Sequence, residues 1–163
     1  MGKNDLEEQI AEHVLEFQDR YYRLAFSYVR NADDALDIVG ESVAKAFAGL
    51  GSLKNPGSLK AWFYGIVVNT SLDFLRKRKR EVLVGEEILL NFAEAESDTY
   101  ENPDLGKALA DLPEDYRTVI ILRFFEDLKI QDVAEILNEN ISTVKNRLYT
   151  GLKKLRIKMA EEV

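Results

Sequence analysis

The stretch Asp127–Arg156, DLKIQDVAEILNENISTVKNRLYTGLKKLR, spaces its apolar residues as two short amphipathic helices joined by a turn. Ile130, Val133, Ala134 and Leu137 recur at helical intervals, Asn138-Glu139-Asn140 interrupts them, and Val144, Leu148, Leu152 and Leu155 resume the pattern. Ser142 is the expected N-cap of the second helix. With Val144 and Leu148 turned toward the first helix, Thr143, Lys145, Asn146, Arg147 and Tyr149 are left around the exposed side. Their hydroxyl, amide and cationic groups suit both phosphates and base edges. The pattern is that of a helix-turn-helix whose second helix enters a major groove. A single basic helix is more often just a solvated face, so the rest of the chain has to decide.

Composition sets the outer limits. The 163 residues are 46% hydrophobic, enough for one core or two small ones. No cysteine is present, which excludes disulfides and cysteine-ligated metals and is compatible with a reducing cytoplasm. No apolar run reaches membrane-spanning length and the opening MGKNDLEEQIAEH lacks signal-peptide character, so a soluble chain is expected. A net charge of −7 argues against nucleic acid unless the charge is segregated, because DNA affinity depends on clustered Lys and Arg.

It is segregated. Arg76-Lys77-Arg78-Lys79-Arg80 is an unbroken basic run, and Lys145 to Lys158 holds a second basic cluster. Between them, Glu81 to Asp104 contains no Lys or Arg, gathers eight acids and ends near Pro103, the composition of a linker. Its apolar islands Val82-Leu83-Val84 and Ile88-Leu89-Leu90 are more than a solvated tether needs, so part of it is expected to dock.

The expected fold is all-α, as two small helical domains, 1–80 and 107–163, joined by the acidic linker 81–106. Ile10, Val14, Phe17, Tyr21, Leu24, Ala25 and Tyr28 make Leu6 to Val29 one long amphipathic helix. Asn31 can cap a second helix running to about Leu50, with Asp33 and Asp34 in a first turn that favours carboxylates. A Gly/Pro/Ser loop follows, then a third helix from Lys60 to Lys79 built on Trp62, Phe63, Ile66, Val67, Leu72 and Leu75. Pro113 at a first helical turn opens a helix through Val119, Ile120, Leu122 and Phe124.

Catalysis finds no foothold. His13 is the lone histidine and has no evident partner, no Gly-rich loop precedes a helix, and no nucleophile elbow is present. The Asp33-Asp34 pair reads as a dipole complement and not a cation site. No catalytic residue, metal or cofactor is expected.

Over nearly its whole length the chain resembles an extracytoplasmic-function (ECF) sigma factor of the sigma-70 family, close to the sigma-V type. The resemblance rests on YYRLAFSYVRNADDALDIVGESVAKAF, SLKAWFYGIVVNTSLDFLRKRKR, LADLPEDYRTVIILRFFEDLKIQDVAEIL and STVKNRLYTGLKKLR, in that order. It implies a bacterial transcription-initiation subunit with sigma domain two and sigma domain four. The implied partners are core RNA polymerase, through the beta-prime clamp helices and the beta flap, promoter DNA, and an anti-sigma factor, often membrane-anchored, that masks the polymerase-binding surfaces until envelope stress. The implied location is the cytoplasm, or the membrane surface while the anti-sigma factor holds the chain there.

Matched position by position, the resemblance assigns Asp34, Asp37, Ile38 and Glu41 to polymerase binding. It assigns Lys60, Tyr64, Asn69, Arg76, Lys77, Arg78, Lys79 and Arg80 to the minus-ten element, with a base-capture loop near Ser52 to Lys60. Ser142, Thr143, Lys145, Asn146, Arg147 and Tyr149 fall to the minus-thirty-five element. Trp62 and Phe63 match an aromatic pair opening the third helix, with Trp62 expected in the core, and the linker is implied to pass through the polymerase channel toward the RNA exit path. The chain departs from the pattern at Leu36, where many relatives carry Glu, at Gly40, where they carry Gln, and at Asn140, where Gly is frequent and Asn would tolerate left-handed geometry. Two other readings are a stand-alone helix-turn-helix regulator of the LuxR-like kind and a helical adaptor solvated by its basic runs. The first lacks the strand-helix alternation of a receiver or ligand domain in its N-terminal half, and neither would bind core polymerase.

Overall fold

The computed structural model describes residues 2–53, 58–84 and 103–161, and among these every regular element is helical. The chain divides into two compact units, Met1–Asn91 and Phe92–Val163.

The first unit packs three helices. Helix α1 spans Lys3–Val29, α2 spans Ala32–Ala48, a 3₁₀ turn covers Leu50–Ser52, and α3 spans Leu59–Val84. Each boundary has a local cause. Arg30 takes a left-handed conformation (φ 52°) that ends α1, and its N–H donates to the Phe26 carbonyl. Asn31 then caps α2 as expected, its Oδ1 accepting from Asp34 N at 2.9 Å. The core draws Ile10, Tyr21, Leu24 and Tyr28 from α1, Ala35, Ile38 and Ala46 from α2, and Phe63, Tyr64, Val67 and Val68 from α3.

One expectation about α1 needs correction, because it is not a single regular helix. Phe17 leaves helical geometry (φ −112°, ψ 19°) and two helices meet there across a kink. No Pro or Gly lies between Lys3 and Val29, so the break has no helix-breaking residue behind it. It coincides with an aromatic cluster: the His13 ring lies 4.8 Å from Phe17 and 5.6 Å from Tyr21, and Tyr21 meets Phe63 and Tyr64 edge-on at 4.7 and 4.9 Å.

The second unit holds α4 (Pro103–Asp111), α5 (Glu114–Ile120), α6 (Ile130–Leu137) and α7 (Ile141–Glu161). Pro113 is the N-cap of α5, one residue outside the helix, with φ −55° and ψ 149°. At its far end α5 widens into a π-turn over Ile121–Phe125, closed by Glu126 N donating to the Ile121 carbonyl at 3.0 Å. Val119, Ile120, Ile121 and Leu122 are all buried at this change of period, while Phe124, expected on the same helix, is 52% exposed. Asp127, at φ 54°, then turns the chain toward α6.

Helix α7 packs on α5 through Gly151, where a Cβ would stand 3.1 Å from Tyr116 Cβ and 3.2 Å from Ile120 Cδ1. Of the expected linker, Glu81 lies in α3, whose backbone stays helical to Val84, and the backbone from Pro103 onward belongs to α4. The stretch between, with the island Ile88-Leu89-Leu90 and most of its acids, lies outside the described residues.

Candidate functional site

The helix-turn-helix is α6, a turn, and α7. Val133 and Ala134 of α6 and Val144 and Leu148 of α7 are buried, and the two helices pack on one another within the second unit. The turn is built differently from the sequence expectation. Asn138, not Asn140, is the left-handed residue (φ 55°) that stops α6, and Asn140 is the N-cap of α7, its Oδ1 accepting from Thr143 N at 2.8 Å. Ser142 therefore sits inside the first turn and is not the cap; either residue type can cap, and the helix begins two positions earlier than the expected cap implied.

Along α7, Ser142, Asn146 and Tyr149 stand on the side away from Val144 and Leu148, and Tyr149 is 66% exposed. Lys153 shares that face, seven residues on from Asn146, and is exposed; it was missed, though the spacing could have found it. Lys145 is exposed on one flank. Arg147 lies on the other, with Nη2 3.4 Å from Glu139 Oε1 and a side chain only 27% exposed. Its guanidinium thus starts out against an acid of the turn.

In the first unit, α2 and α3 bound a groove of about 480 Å³. Asp34, Asp37 and Glu41 rim it from α2, and Asp73, Lys77 and Arg78 from α3. Ile38 lines its floor but is 1% exposed and belongs to the core, so the apolar contact expected of it in polymerase binding is corrected to a core role beneath the groove. Lys45 ties the helices together, Nζ lying 3.1 Å from Thr70 Oγ1. Arg78 Nη2 reaches Asp34 Oδ2 at 2.5 Å while its guanidinium carbon lies 5.4 Å from the Phe74 ring centroid. Gly40 faces open space on the outside of α2, and Leu36 beside it is 59% exposed.

The residues assigned to the minus-ten element are not brought together as one surface. Asn69, Arg76 and Arg80 recur on one exposed face of α3, with Lys77 and Lys79 on its flanks. Arg78 follows Arg76 by about 200° of helical turn and so points away from that face, into the groove. Lys60, nine residues before Asn69, is exposed on the opposite side of the helix, near His13. Tyr64 has 0% exposure and packs on Tyr21, so its assignment to base capture is corrected to a core role. Trp62 and Tyr64 exchange the expected places: Trp62 stays partly exposed, its Nε1 donating to Ser52 Oγ at 3.0 Å. Of the loop between them in sequence, Lys54 to Gly57 lies outside the described residues.

His13 is half-buried and its Nε2 lies 2.5 Å from the Tyr21 hydroxyl. Burial lowers its pKa from 6.5, Lys60 and Arg20 add to that, and Glu16 opposes it. Such a contact within the first unit's core accounts for the ring without a catalytic role. Among the described residues no group of three or more His, Cys, Asp or Glu could hold a metal, and no helix is long and apolar enough to cross a membrane.

Comparison with known proteins accords with this two-unit arrangement. The family model for Sigma-70 region 2 matches residues 13–81, and that for Sigma-70, region 4 matches residues 104–155. The RNA polymerase sigma factor SigV of Bacillus subtilis (strain 168) is 48% identical over 149 residues, covering 91% of this chain and 90% of the relative. The ECF RNA polymerase sigma-E factor of Haemophilus influenzae is 32% identical, over 83% of this chain and 79% of its own. Among solved structures, the sigma factor RpoE in complex with the anti-sigma factor NepR from Bartonella quintana superposes with a TM-score of 0.69 at 26% identity, covering 92% of this chain and 96% of that one. The structure of CnrH in complex with the cytosolic domain of CnrY gives a TM-score of 0.69 at 19% identity, over 94% and 89% of the two chains, and shares the fold. With both sigma-70 regions matched in order and close relatives aligned along almost the entire sequence, the chain belongs to the extracytoplasmic-function sigma factors of the sigma-70 family.

Proposed function

We propose that this sigma factor binds core RNA polymerase through the acidic groove between α2 and α3, directs it to promoters of cell-envelope stress genes, and is held inactive by an anti-sigma factor. The observation that carries the reading is the division of charge between surfaces. Asp34, Asp37 and Glu41 gather on α2 and outnumber the groove's Lys77 and Arg78, whereas Lys79 and Arg80 on α3 and Lys145 and Lys153 on α7 are turned elsewhere, with Arg76 between, 3.2 Å from Asp73 on the groove's rim. An acidic groove suits the basic residues of the beta-prime clamp helices, and two basic faces suit two promoter elements.

In this reading, Asn69, Arg76 and Arg80 track the strand at the minus-ten element, and Asn146, Tyr149 and the flanking Lys145 meet the minus-thirty-five duplex. The second unit also meets the beta flap. Segment 81–106 joins the units through the polymerase channel, and its acidity imitates nucleic acid there. The chain performs no chemistry of its own; nucleotide addition is the polymerase's. An anti-sigma partner is supported by the RpoE relative, whose structure was solved with one, and a membrane anchor on that partner would hold this chain at the membrane surface.

The test is transcription from defined templates by core polymerase with and without the chain. Promoter-specific initiation that depends on the added chain supports the reading. Promoter binding by the chain alone, with no association with core polymerase, would instead favour a stand-alone helix-turn-helix regulator.

A further inference from the structure

We infer that Arg78, although it stands in the middle of the basic run, is a positioning residue for the polymerase-facing groove and not a phosphate contact. The inference rests on the proposal that the α2 acids meet core polymerase. Three independent features of the first unit support it. The helical phase of α3 sets Arg78 about half a turn from the face shared by Asn69, Arg76 and Arg80. Its guanidinium closes on Asp34 at 2.5 Å, joining positions 44 residues apart in sequence. It also lies against the Phe74 ring, so both its charge and its flat face are engaged within the groove.

The partly enclosed geometry gives the contact a purpose. The Asp34 side chain is only 22% exposed, against 36% for Arg78, and Asp34 lies in the first turn of α2, where its backbone N–H is already bound by Asn31. With the guanidinium in place, the Asp34 carboxylate is held through Oδ2 at the groove it lines. Without it, the carboxylate is free to rotate, and the groove loses the orientation a basic partner would meet. Arg80, by contrast, is exposed at the end of the same run. The run therefore divides: Lys79 and Arg80 point to the strand-tracking face, Arg76 stands at its edge paired with Asp73, and Lys77 and Arg78 line the groove.

The sign of the Arg78→Ala effect separates positioning from simple neutralisation. Removing a cation beside an acidic groove strengthens its long-range attraction for a basic partner, whereas losing the orientation of Asp34 weakens docking. Affinity of the full-length chain for core polymerase would be measured for Arg78→Ala, Arg78→Lys, Asp37→Asn and Glu41→Gln. The salt dependence of holoenzyme binding to a minus-ten single strand would be followed for Arg78→Ala beside Arg80→Ala. Arg78→Ala is expected to weaken core binding by about fivefold, between the effects of exposed and fully desolvated pairs. Arg78→Lys should recover part of this. The strand-binding salt slope should be unchanged by Arg78→Ala and fall by roughly 0.7 for Arg80→Ala.

Unchanged or tighter core binding in a folded Arg78→Ala chain, or a salt slope reduced as in Arg80→Ala, overturns the inference. A fall in thermal stability with core affinity intact does so as well, since it marks a purely structural pair. Should Asp37→Asn and Glu41→Gln leave core affinity untouched, it is the reading of the groove as the polymerase site that fails, and the inference falls with it.

Discussion

The same substitution, Gly to Ala, is expected to have opposite effects at two helical positions of this sigma factor. At Gly151 in α7 a methyl group would stand 3.1 Å from Tyr116 Cβ and 3.2 Å from Ile120 Cδ1. Ile120 is 2% exposed, with little room to turn aside, and Tyr116 Cβ is fixed directly to the α5 backbone. Forcing a methyl into such a site costs about 1–3 kcal/mol, while the gain in helix propensity over Gly is roughly 1 kcal/mol. The expected result is a net loss of about 1 kcal/mol, or a fall of roughly 4–8 °C in the melting of a unit this size. At Gly40 in α2 nothing lies within 4 Å, so only the propensity gain remains and the first unit should rise by a similar interval. Trp62 is the sole tryptophan and lies in the first unit, so its fluorescence follows that unit, while far-UV circular dichroism follows both. Gly40→Ala should raise the fluorescence transition, and Gly151→Ala should lower the transition seen only by dichroism. A stabilised Gly151→Ala would show that α5 and α7 separate easily, and the account of their close packing would be refuted.

Three further outcomes follow from named contacts. Asn140→Ala should cost the second unit about 1 kcal/mol in urea unfolding, because Thr143 N loses its acceptor, whereas Ser142→Ala should stay within about 0.5 kcal/mol; the reverse ranking would restore Ser142 as the cap. His13 has its pKa lowered in the fold, so the unfolded chain binds its proton more readily and the first unit should lose stability as pH falls below 6.5. His13→Gln should flatten that part of the stability–pH curve, and an unaltered slope would assign it to other groups. On the DNA side, the Lys145→Ala, Arg147→Ala double change should weaken holoenzyme binding to minus-thirty-five duplex; equal affinity in the variant would remove both from the interface.

Much of this architecture could be read from spacing and caps. Asn31 announced α2, the interruption at Asn138-Glu139-Asn140 announced the turn, and the basic runs announced where charge would concentrate. What escaped the sequence was the choice among neighbours of similar chemistry. Ala61-Trp62-Phe63-Tyr64 is apolar throughout, and which rings face inward depends on where α1 places Tyr21; Phe63 and Tyr64 go in, Trp62 stays partly out. The turn offered Asn138, Asn140 and Ser142, all capable of stopping or capping a helix, and a shift of two residues decided which did so. Arg78 carries the same lesson for charge. Its phase on α3 was calculable, but the carboxylate it would find there depended on the packing of α2.

How a chain of net charge −7 engages DNA follows from the same separation of surfaces. On the proposed reading each basic face is small, and Arg147 is already turned toward Glu139. A face making few phosphate contacts binds weakly by itself, and the acids elsewhere in the chain oppose its approach. Docking on core polymerase changes both conditions: the α2 acids are covered by basic groups, and the two DNA-reading faces are fixed at one spacing, so the second contact becomes intramolecular. The isolated chain should therefore discriminate poorly between promoter and unrelated duplex, and the holoenzyme should discriminate well. Gel-shift or anisotropy titrations at matched salt would measure this directly. Strong, sequence-specific binding by the free chain would mean that its acidic surface does not restrain it, and that coupling between polymerase docking and promoter recognition is unnecessary.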